Sequence, residues 1–362
     1  MRNEPAARPR PVHGEHGRPR DRTRRLLVLL GLGLGLGSGL GGCGGEGSGP
    51  VVRVRVPVGA SFSAVVDSLV ENRIVDSAVL FKAYARVTGA TDEIQAGTYG
   101  FRRGAGWGRI LEDLREGNVM TIRVVIPEGW NLRRIAARLA DVTDASEAFI
   151  IEKLTDSATV ARFGVPGPTL EGYLYPATYV WPADAPLDLA IERMVGRYRR
   201  IWTPARRATA DSVGMSEREV VTLASIVETE AKVADEMPVI AAVFHNRLRI
   251  GYRLQADPTV QYALGEHQTR LLYPHIEEVA DHPYNTYTHG GLPPGPIASP
   301  SVRAIDAVLA PADVDYLYFV ARPDGSHIFT RSLEAHNRAR RRVEALRRAG
   351  ESGAAATDAG TN

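Results

Sequence analysis

The chain has 362 residues, room for a membrane or targeting segment and two or three modest domains, and its 44% hydrophobic share is ordinary for a globular protein. The net charge of +2 is unevenly spread: the first 25 residues carry eight arginines against three acids, leaving 36 basic and 39 acidic residues for the rest, a balance that suggests no basic face for nucleic acid. The single cysteine, Cys43, excludes an intrachain disulfide.

The arginine-rich head, residues 1–25, directly precedes the apolar run LLVLLGLGLGLGSGLGGC at 26–43. Positive charge in front of such a run stays on the cytoplasmic side, so the remainder is expected outside the cytoplasm, held to the cytoplasmic membrane. The run has about 17 residues before Cys43, short of the roughly 20 that span a bilayer. Two anchors stay open: a short transmembrane segment, or a lipoprotein signal in which Leu40-Gly41-Gly42-Cys43 ends on a lipid-bearing thiol. Residues 44–50, rich in Gly and Ser, read as a tether.

Val51–Val56 alternates as a half-exposed strand. Ser61 caps a helix with Val65, Leu69 and Val70 on one side, Ser77 caps a second with Leu80, Phe81 and Tyr84, and Ile94–Phe101 returns as a strand. Strand, two helices, strand over 51–122 resembles the LysM-like module of peptidoglycan-active proteins; the plainer reading is a small domain packed on its neighbour. In a connecting region, 123–200, the residues predict a helix at Trp107–Glu116 leading in, a strand over Val119–Ile126, a turn at Pro127-Glu128-Gly129 and a helix over Leu132–Leu139. Tyr173, Tyr175, Tyr179 and Trp181 suit either stacking on sugar rings or filling a seam, and a helix follows near Leu187–Trp202.

The stretch from Ser216 to Gly265, within a unit spanning 201–348, organises the rest. Ser216 with Glu219 forms a capping box, and Met215 with Val220 a hydrophobic staple, so a helix starts here, to be ended or kinked by Pro238. Val220, Leu223, Ala224, Val227 and Ala231 form one apolar stripe, with Glu230 aimed to the core side and Glu228 on the opposite border, nearer the wet face. A desolvated carboxyl is a general acid near neutral pH; the alternative is that Glu230 caps a backbone group or pairs with Arg247 or Arg249. After Pro238 comes a second amphipathic helix, stopped by Gly251, then a turn-rich loop through Gln255, Asp257, Pro258 and Thr259. HPYNTYTHGGLPPGPIASPS (282–301), with five Pro and three Gly, is a rigid irregular loop of the kind that shapes a cleft. Tyr316–Ala321 and His327–Thr330 flank a hairpin turn, Ser332 opens a last helix to about Arg348, and 349–362 reads as a disordered tail.

The segments SIVETEAKVADE, VFHNRLRIGYRLQADPTVQYALG, YNTYTHGGLPPGPIASP and YLYFVARPDGSHIF with EAHN together resemble the endolytic murein transglycosylases of the MltG (YceG-like) family, from about Val51 to Arg348. The resemblance implies a membrane-anchored α+β protein, a small LysM-like module followed by a mixed α/β catalytic domain with a cleft. It implies cleavage of the bond between N-acetylmuramic acid and N-acetylglucosamine in peptidoglycan glycan strands without water, leaving 1,6-anhydro ends, with Glu230 as the catalytic residue. Glu236, Asn246, Gln255, Asp257, Tyr284 and Asn285 match family motifs and are expected around the cleft as substrate contacts or supports of Glu230. Penicillin-binding protein synthases are implied as partners. The chain departs from the family at EGYLYPATY, with Ala177 where Asp is usual, and in its lipobox-like anchor. No cofactor is implied. Nine histidines show no HExxH or paired metal-ligand spacing, and no GxSxG elbow is present. The competing reading is an inactive cell-wall binding or scaffold protein that uses the LysM-like module.

Overall fold

The computed structural model describes residues 45, 47–91, 94–266, 268–269 and 271–358, with side chains through 348. The arginine-rich head and the apolar run with Cys43 lie outside them. Among the described residues no helix is long and apolar enough to cross a membrane.

The chain opens with β1 (Val51–Val56), α1 (Phe62–Glu71), α2 (Ala78–Val87), β2 (Gly97–Arg102) and α3 (Trp107–Glu116). Alternation along VVRVRV buries Val54 and Val56, and β1 pairs antiparallel with β2 from Val51–Arg102 to Val56–Gly97. Ser61 and Ser77 cap α1 and α2 by accepting from the Ala64 and Leu80 amides. Val65, Leu69, Phe81, Ile110 and Leu114 complete a core that belongs to this unit alone.

The next elements, β3 (Thr121–Ile126), α4 (Leu132–Ala140), α5 (Glu147–Thr155), α6 (Ser157–Phe163), β4 (Ala177–Pro182) and α7 (Leu187–Ile201), repeat that order. The repetition holds residue by residue. Val54, Val56, Val65, Val66 and Leu69 correspond to Val124, Ile126, Ile135, Ala136 and Leu139, all buried. Pro57 and Gly59 (φ 75°) return as Pro127 and Gly129 (φ 70°), and the cap Ser61 returns as Asn131, which accepts from the Arg134 amide at 3.1 Å. β3 and β4 pair from Thr121–Pro182 to Ile126–Ala177, the same register as β1 and β2. Tyr99 donates its hydroxyl to the Gln95 carbonyl and Tyr179 donates to Tyr175, each four residues back. The second copy is longer by α6 and the segment before β4, which carries Glu171. Its core is not its own: residues from β3 to α7 share one buried cluster with those that follow. The stretch expected to connect two domains is therefore built into the larger one.

The remaining elements are α8 (Pro204–Ser212), α9 (Glu217–Glu230), α10 (Met237–Arg249), α11 (Asp257–Leu264), α12 (Tyr273–Glu278), α13 (Val302–Leu309), the hairpin β5 (Tyr318–Ala321) and β6 (His327–Thr330), and α14 (Leu333–Asp358). The capping box forms as expected, with Ser216 Oγ accepting from the Glu219 amide and the Glu219 carboxylate accepting from the Ser216 amide. Two expectations for α9 fail. It stops at Glu230, well before Pro238, which instead occupies the first turn of α10. It also lacks a wet face along its middle: every residue from Val220 to Val227 is buried, because α8, α10, α11 and α13 pack around it. Asp257 and Pro258, read as loop, form the first turn of α11, and α14 continues past Arg348 to Asp358.

The proline-rich stretch 282–301 is irregular, as its composition dictates, and is fixed by α9. The Ser225 hydroxyl donates to the Thr222 carbonyl at 2.7 Å and accepts from the Ile297 amide at 3.0 Å. Both groups are buried, so removing the hydroxyl strands an amide donor away from water. Ser225→Ala is expected to lower stability by about 1–3 kcal/mol, measured by urea unfolding; an unchanged midpoint would show that the loop is held by other contacts.

Candidate active site

The two neighbouring acids near the end of α9 have different surroundings. Glu228 Oε2 accepts from the Ser301 amide at 2.9 Å and from the Ser301 hydroxyl at 2.5 Å, and Ser301 is itself the N-cap of α13. Glu228 therefore ties α9 to α13. Glu230, the last residue of α9, opens instead into a cleft of about 910 Å³. Loss of water on burial, helped by the nearby Asp257 carboxylate, pushes its carboxyl up to about 8, against the weaker opposing pull of Arg247 and the Asp257 amide. Its place at the helix C-terminus, where the macrodipole is negative, acts in the same direction. Among the described residues no Lys or Arg lies within ion-pair distance of Glu230.

Arg247, one of the two cations that sequence pairs with Glu230, is used elsewhere. Its guanidinium is buried, donates to the Leu317 carbonyl at 2.7 Å and the Leu254 carbonyl at 2.5 Å, and stacks over Tyr252 and Tyr318. It fastens the chain before α11 to the hairpin. Arg249 donates to Asn246.

Asp257 lies on the cleft with Glu230 and accepts from the Tyr287 hydroxyl at 2.5 Å. Its position depends on a strap of backbone and threonines: the Gln255 amide donates to the Thr286 carbonyl, the Ala256 amide donates to Thr286 Oγ1, and Thr286 meets Thr259 at 2.8 Å. Gln255 takes φ 48°, left-handed and rare for a residue with a side chain. Its side chain is exposed and outside the residues lining the cleft; what it contributes is a backbone bend that starts α11 beside Glu230.

The other positions divide. Glu236 accepts from the His327 amide at 3.0 Å and meets His327 Nδ1 at 2.6 Å, and His327 lines the cleft. Tyr284 is half-buried against Tyr262, ring centroids 4.8 Å apart, and Tyr262 lines the cleft. Asn285 is wholly buried; its amide donates to the Ile276 and Val279 carbonyls and its oxygen accepts from the Tyr287 amide. All its polar groups hold the loop, leaving none for a ligand. Asn246 donates to the Val314 and Tyr316 carbonyls and lines a separate groove with His245 and Arg249, so it is not brought to Glu230. Of the aromatic run, Tyr173, Tyr179 and Trp181 are buried and fill the core.

Several cleft residues carry no motif signal. Gly129, Asn131, Arg133 and Arg134 come from the turn and first helix of the second copy. That turn is sewn to the proline-rich loop by a reciprocal pair, the Gly129 amide donating to the Ser299 carbonyl and the Ser299 amide to the Trp130 carbonyl. Glu171, 2% exposed, accepts the Leu132 amide with both oxygens at 3.1 Å. Burial pushes it up to about 8, opposed by hydrogen bonds from Leu132, Tyr262 and Gly172. It braces the cleft wall from behind. Among the described residues no three His, Cys, Asp or Glu side chains group as a metal site.

Comparison with known proteins places this architecture. The YceG-like family model matches residues 54–342. The chain is 35% identical over 305 residues to the endolytic murein transglycosylase of Bacillus subtilis (strain 168), covering 80% of this chain and 84% of that one. It is 29% identical over 320 residues to the endolytic murein transglycosylase of Streptococcus pneumoniae serotype 2 (strain D39 / NCTC 7466), covering 79% of this chain and 57% of that longer one. The crystal structure of a yceG-like protein from Listeria monocytogenes superposes with a TM-score of 0.55 at 34% identity, covering 81% of this chain and all of that one. With most of its length matched in sequence and in structure, the chain belongs to the YceG-like (MltG) family.

Proposed function

We propose that this protein is an endolytic murein transglycosylase acting on peptidoglycan glycan strands, and that Glu230 carries the reaction. The observation behind this reading is a carboxyl without an ion-pair partner among the described residues, at the end of a helix buried along its middle, open to a cleft and pushed up to about 8, hence protonated at neutral pH. Protonated Glu230 donates to the oxygen between N-acetylmuramic acid and N-acetylglucosamine. As the bond from that oxygen to the muramoyl anomeric carbon breaks, the substrate's own acetamido group steadies the positive carbon. The carboxylate then takes the proton of the muramoyl 6-hydroxyl, whose oxygen closes onto carbon 1. The product is a 1,6-anhydro end, no water is consumed, and Glu230 is returned protonated. One group suffices as acid and base, where most glycosidases need two flanking carboxylates.

Asp257 and Glu236 support rather than react. Asp257 raises Glu230 by like charge and is itself held by Tyr287, and Glu236 fixes His327 on the cleft. Gln255 and Tyr284 shape its floor through the bend before α11 and through contact with Tyr262. The first unit, in strand–helix–helix–strand order, serves as the LysM-like module. The head and apolar run anchor the chain to the cytoplasmic membrane with the rest outside the cytoplasm, beside penicillin-binding protein synthases. Cutting nascent strands there limits their length.

Glu230→Gln keeps the shape and removes the transferable proton. Release of anhydro ends from murein sacculi is expected to fall by at least about 10²- to 10⁴-fold, read by mass analysis of the released muropeptides, while sedimentation with sacculi persists. A variant that still yields anhydro ends would assign the acid elsewhere. A wild-type chain that binds and yields none would leave the scaffold reading.

Activity is expected to fall about tenfold per pH unit above about 8, as the acid loses its proton. Stability follows the same group. Between 4.5, its ordinary value, and about 8 the folded chain keeps a proton that the unfolded chain has released, so this group's contribution to stability falls as pH rises through that window. Urea midpoints of the wild type and Glu230→Gln should therefore diverge in favour of the variant from about pH 5 to pH 8; parallel profiles would contradict the raised value.

A further inference from the structure

The two strand–helix–helix–strand copies differ where it matters for the cleft. At the start of the first helix the first copy carries Ser63 and Ala64, and the second carries Arg133 and Arg134 at the corresponding places. Only the second copy's turn borders Glu230. Arg133 Nη1 donates to the Gly265 carbonyl at 2.6 Å, and its guanidinium lies so close over Gly265 that a Cβ there would fall 2.6 Å from Nη1. The Arg134 guanidinium lies 4.8 Å over the Trp130 ring. Both cations are thus oriented without a carboxylate partner: among the described residues neither is in an ion pair. Lys232, two residues after Glu230, lines the same cleft, is exposed and likewise unpaired, and packs its stem against Gly325 of the hairpin turn.

Among the described residues no acid on this cleft pairs with them, and the two charged carboxylates, Asp257 and Glu266, leave the three cations in excess. Asp257 is engaged by Tyr287, Glu266 accepts from Gln268 Nε2 at 2.6 Å, and Glu230 is held protonated. Elsewhere some exposed arginines, such as Arg109, Arg162 and Arg331, sit in ion pairs and others, such as Arg53 and Arg123, stand apart on open surface, so what marks these cations is their grouping around one cavity. Three unpaired cations from two separate parts of the chain, around one cavity, fit a ligand that brings negative charge. A glycan stripped of its peptides brings a single lactyl carboxylate on each muramoyl residue. Peptide-bearing strands bring carboxylates on the branch that leaves each muramoyl residue.

We infer that Arg133 and Arg134, with Lys232, form an anion subsite of the cleft that binds stem-peptide carboxylates, so that the second copy reads the peptide branch while Glu230 faces the glycosidic bond. This rests on the transglycosylase reading for the identity of the strand but not for the charge of the site.

The test uses the full-length chain carrying Glu230→Gln, so that binding is measured without turnover, against two probes: soluble uncrosslinked murein strands with native stem peptides, and the same strands with their carboxylates converted to amides. Arg133→Ala with Arg134→Ala is expected to weaken binding of native strands about three- to tenfold, the loss of two solvent-accessible ion pairs. The parent should bind amidated strands that much more weakly than native ones, and the double alanine variant should no longer distinguish the two. Arg133→Lys with Arg134→Lys should restore most of the preference, and added salt should erode it in the parent more than in the alanine variant. Equal binding of both probes by the parent, or unchanged preference in the alanine variant, would overturn the subsite. Both arginines are exposed, and the helix cap uses only the Arg134 backbone amide, so the variants retain the fold. Absence of anhydro ends from the wild-type chain, with the charge preference present, would instead overturn the enzymatic reading and leave the subsite standing.

Discussion

A helix buried on all sides along its middle, with a few polar groups that reach outward to hold irregular chain, is the constraint on which the rest of this protein depends. Ser225 and Glu228 of α9 each hold a backbone amide of the proline-rich loop or of the helix cap that follows it. A loop with five prolines cannot satisfy its polar groups by regular pairing, so it needs such fixed partners. With the loop held, the turn of the second copy has an edge to pair with at Ser299. Glu230 is left as the terminal residue of the same helix, where the packing ends and the cleft begins.

The duplication explains how a small unit of two strands and its helices contributes to the cleft beside Glu230. In the first copy the turn after the first strand faces outward, with Val58 almost fully exposed. In the second the tip, Pro127 and Glu128, is exposed too, but Gly129 is partly covered where the loop at Ser299 pairs with it, and the added segment's Glu171 caps α4. Burying a helix N-terminus requires a partner for its free amides, and a carboxylate kept away from water is an effective one. The same local fold thus stands once around a core of its own and once as a wall of the cleft.

Much of this was legible in the amino-acid pattern. The capping box at Ser216, the caps at Ser61 and Ser77, the irregular loop and the hairpin all follow from local chemistry that tertiary contacts do not override. Periodicity favoured Glu230 over Glu228 without securing the order, because a wheel assumes one wet face and α9 has none along its middle; a partner 73 residues from Glu228, Ser301, separates them. Asn246 and Asn285 sit in recognisable motifs but spend their amides on backbone carbonyls, a use that sequence cannot tell from ligand binding. The cleft residues Asn131 and Arg133 were missed although a signal existed: RVVIPEGWN repeats the pattern of RVRVPVGAS seventy positions on, from Val51 to Thr121, and a self-comparison would have exposed it.

The two copies are joined around Met120. Met120 gives its amide to Thr98 of the first copy's returning strand and its carbonyl to Ala183, just past the second's, while Thr98 also reaches Asp184 with its hydroxyl. Because the Met120 bonds are main-chain, they survive any exchange of its side chain other than to proline. The joint between the two copies is thus written in the backbone, and position 120 can change its side chain without undoing those bonds.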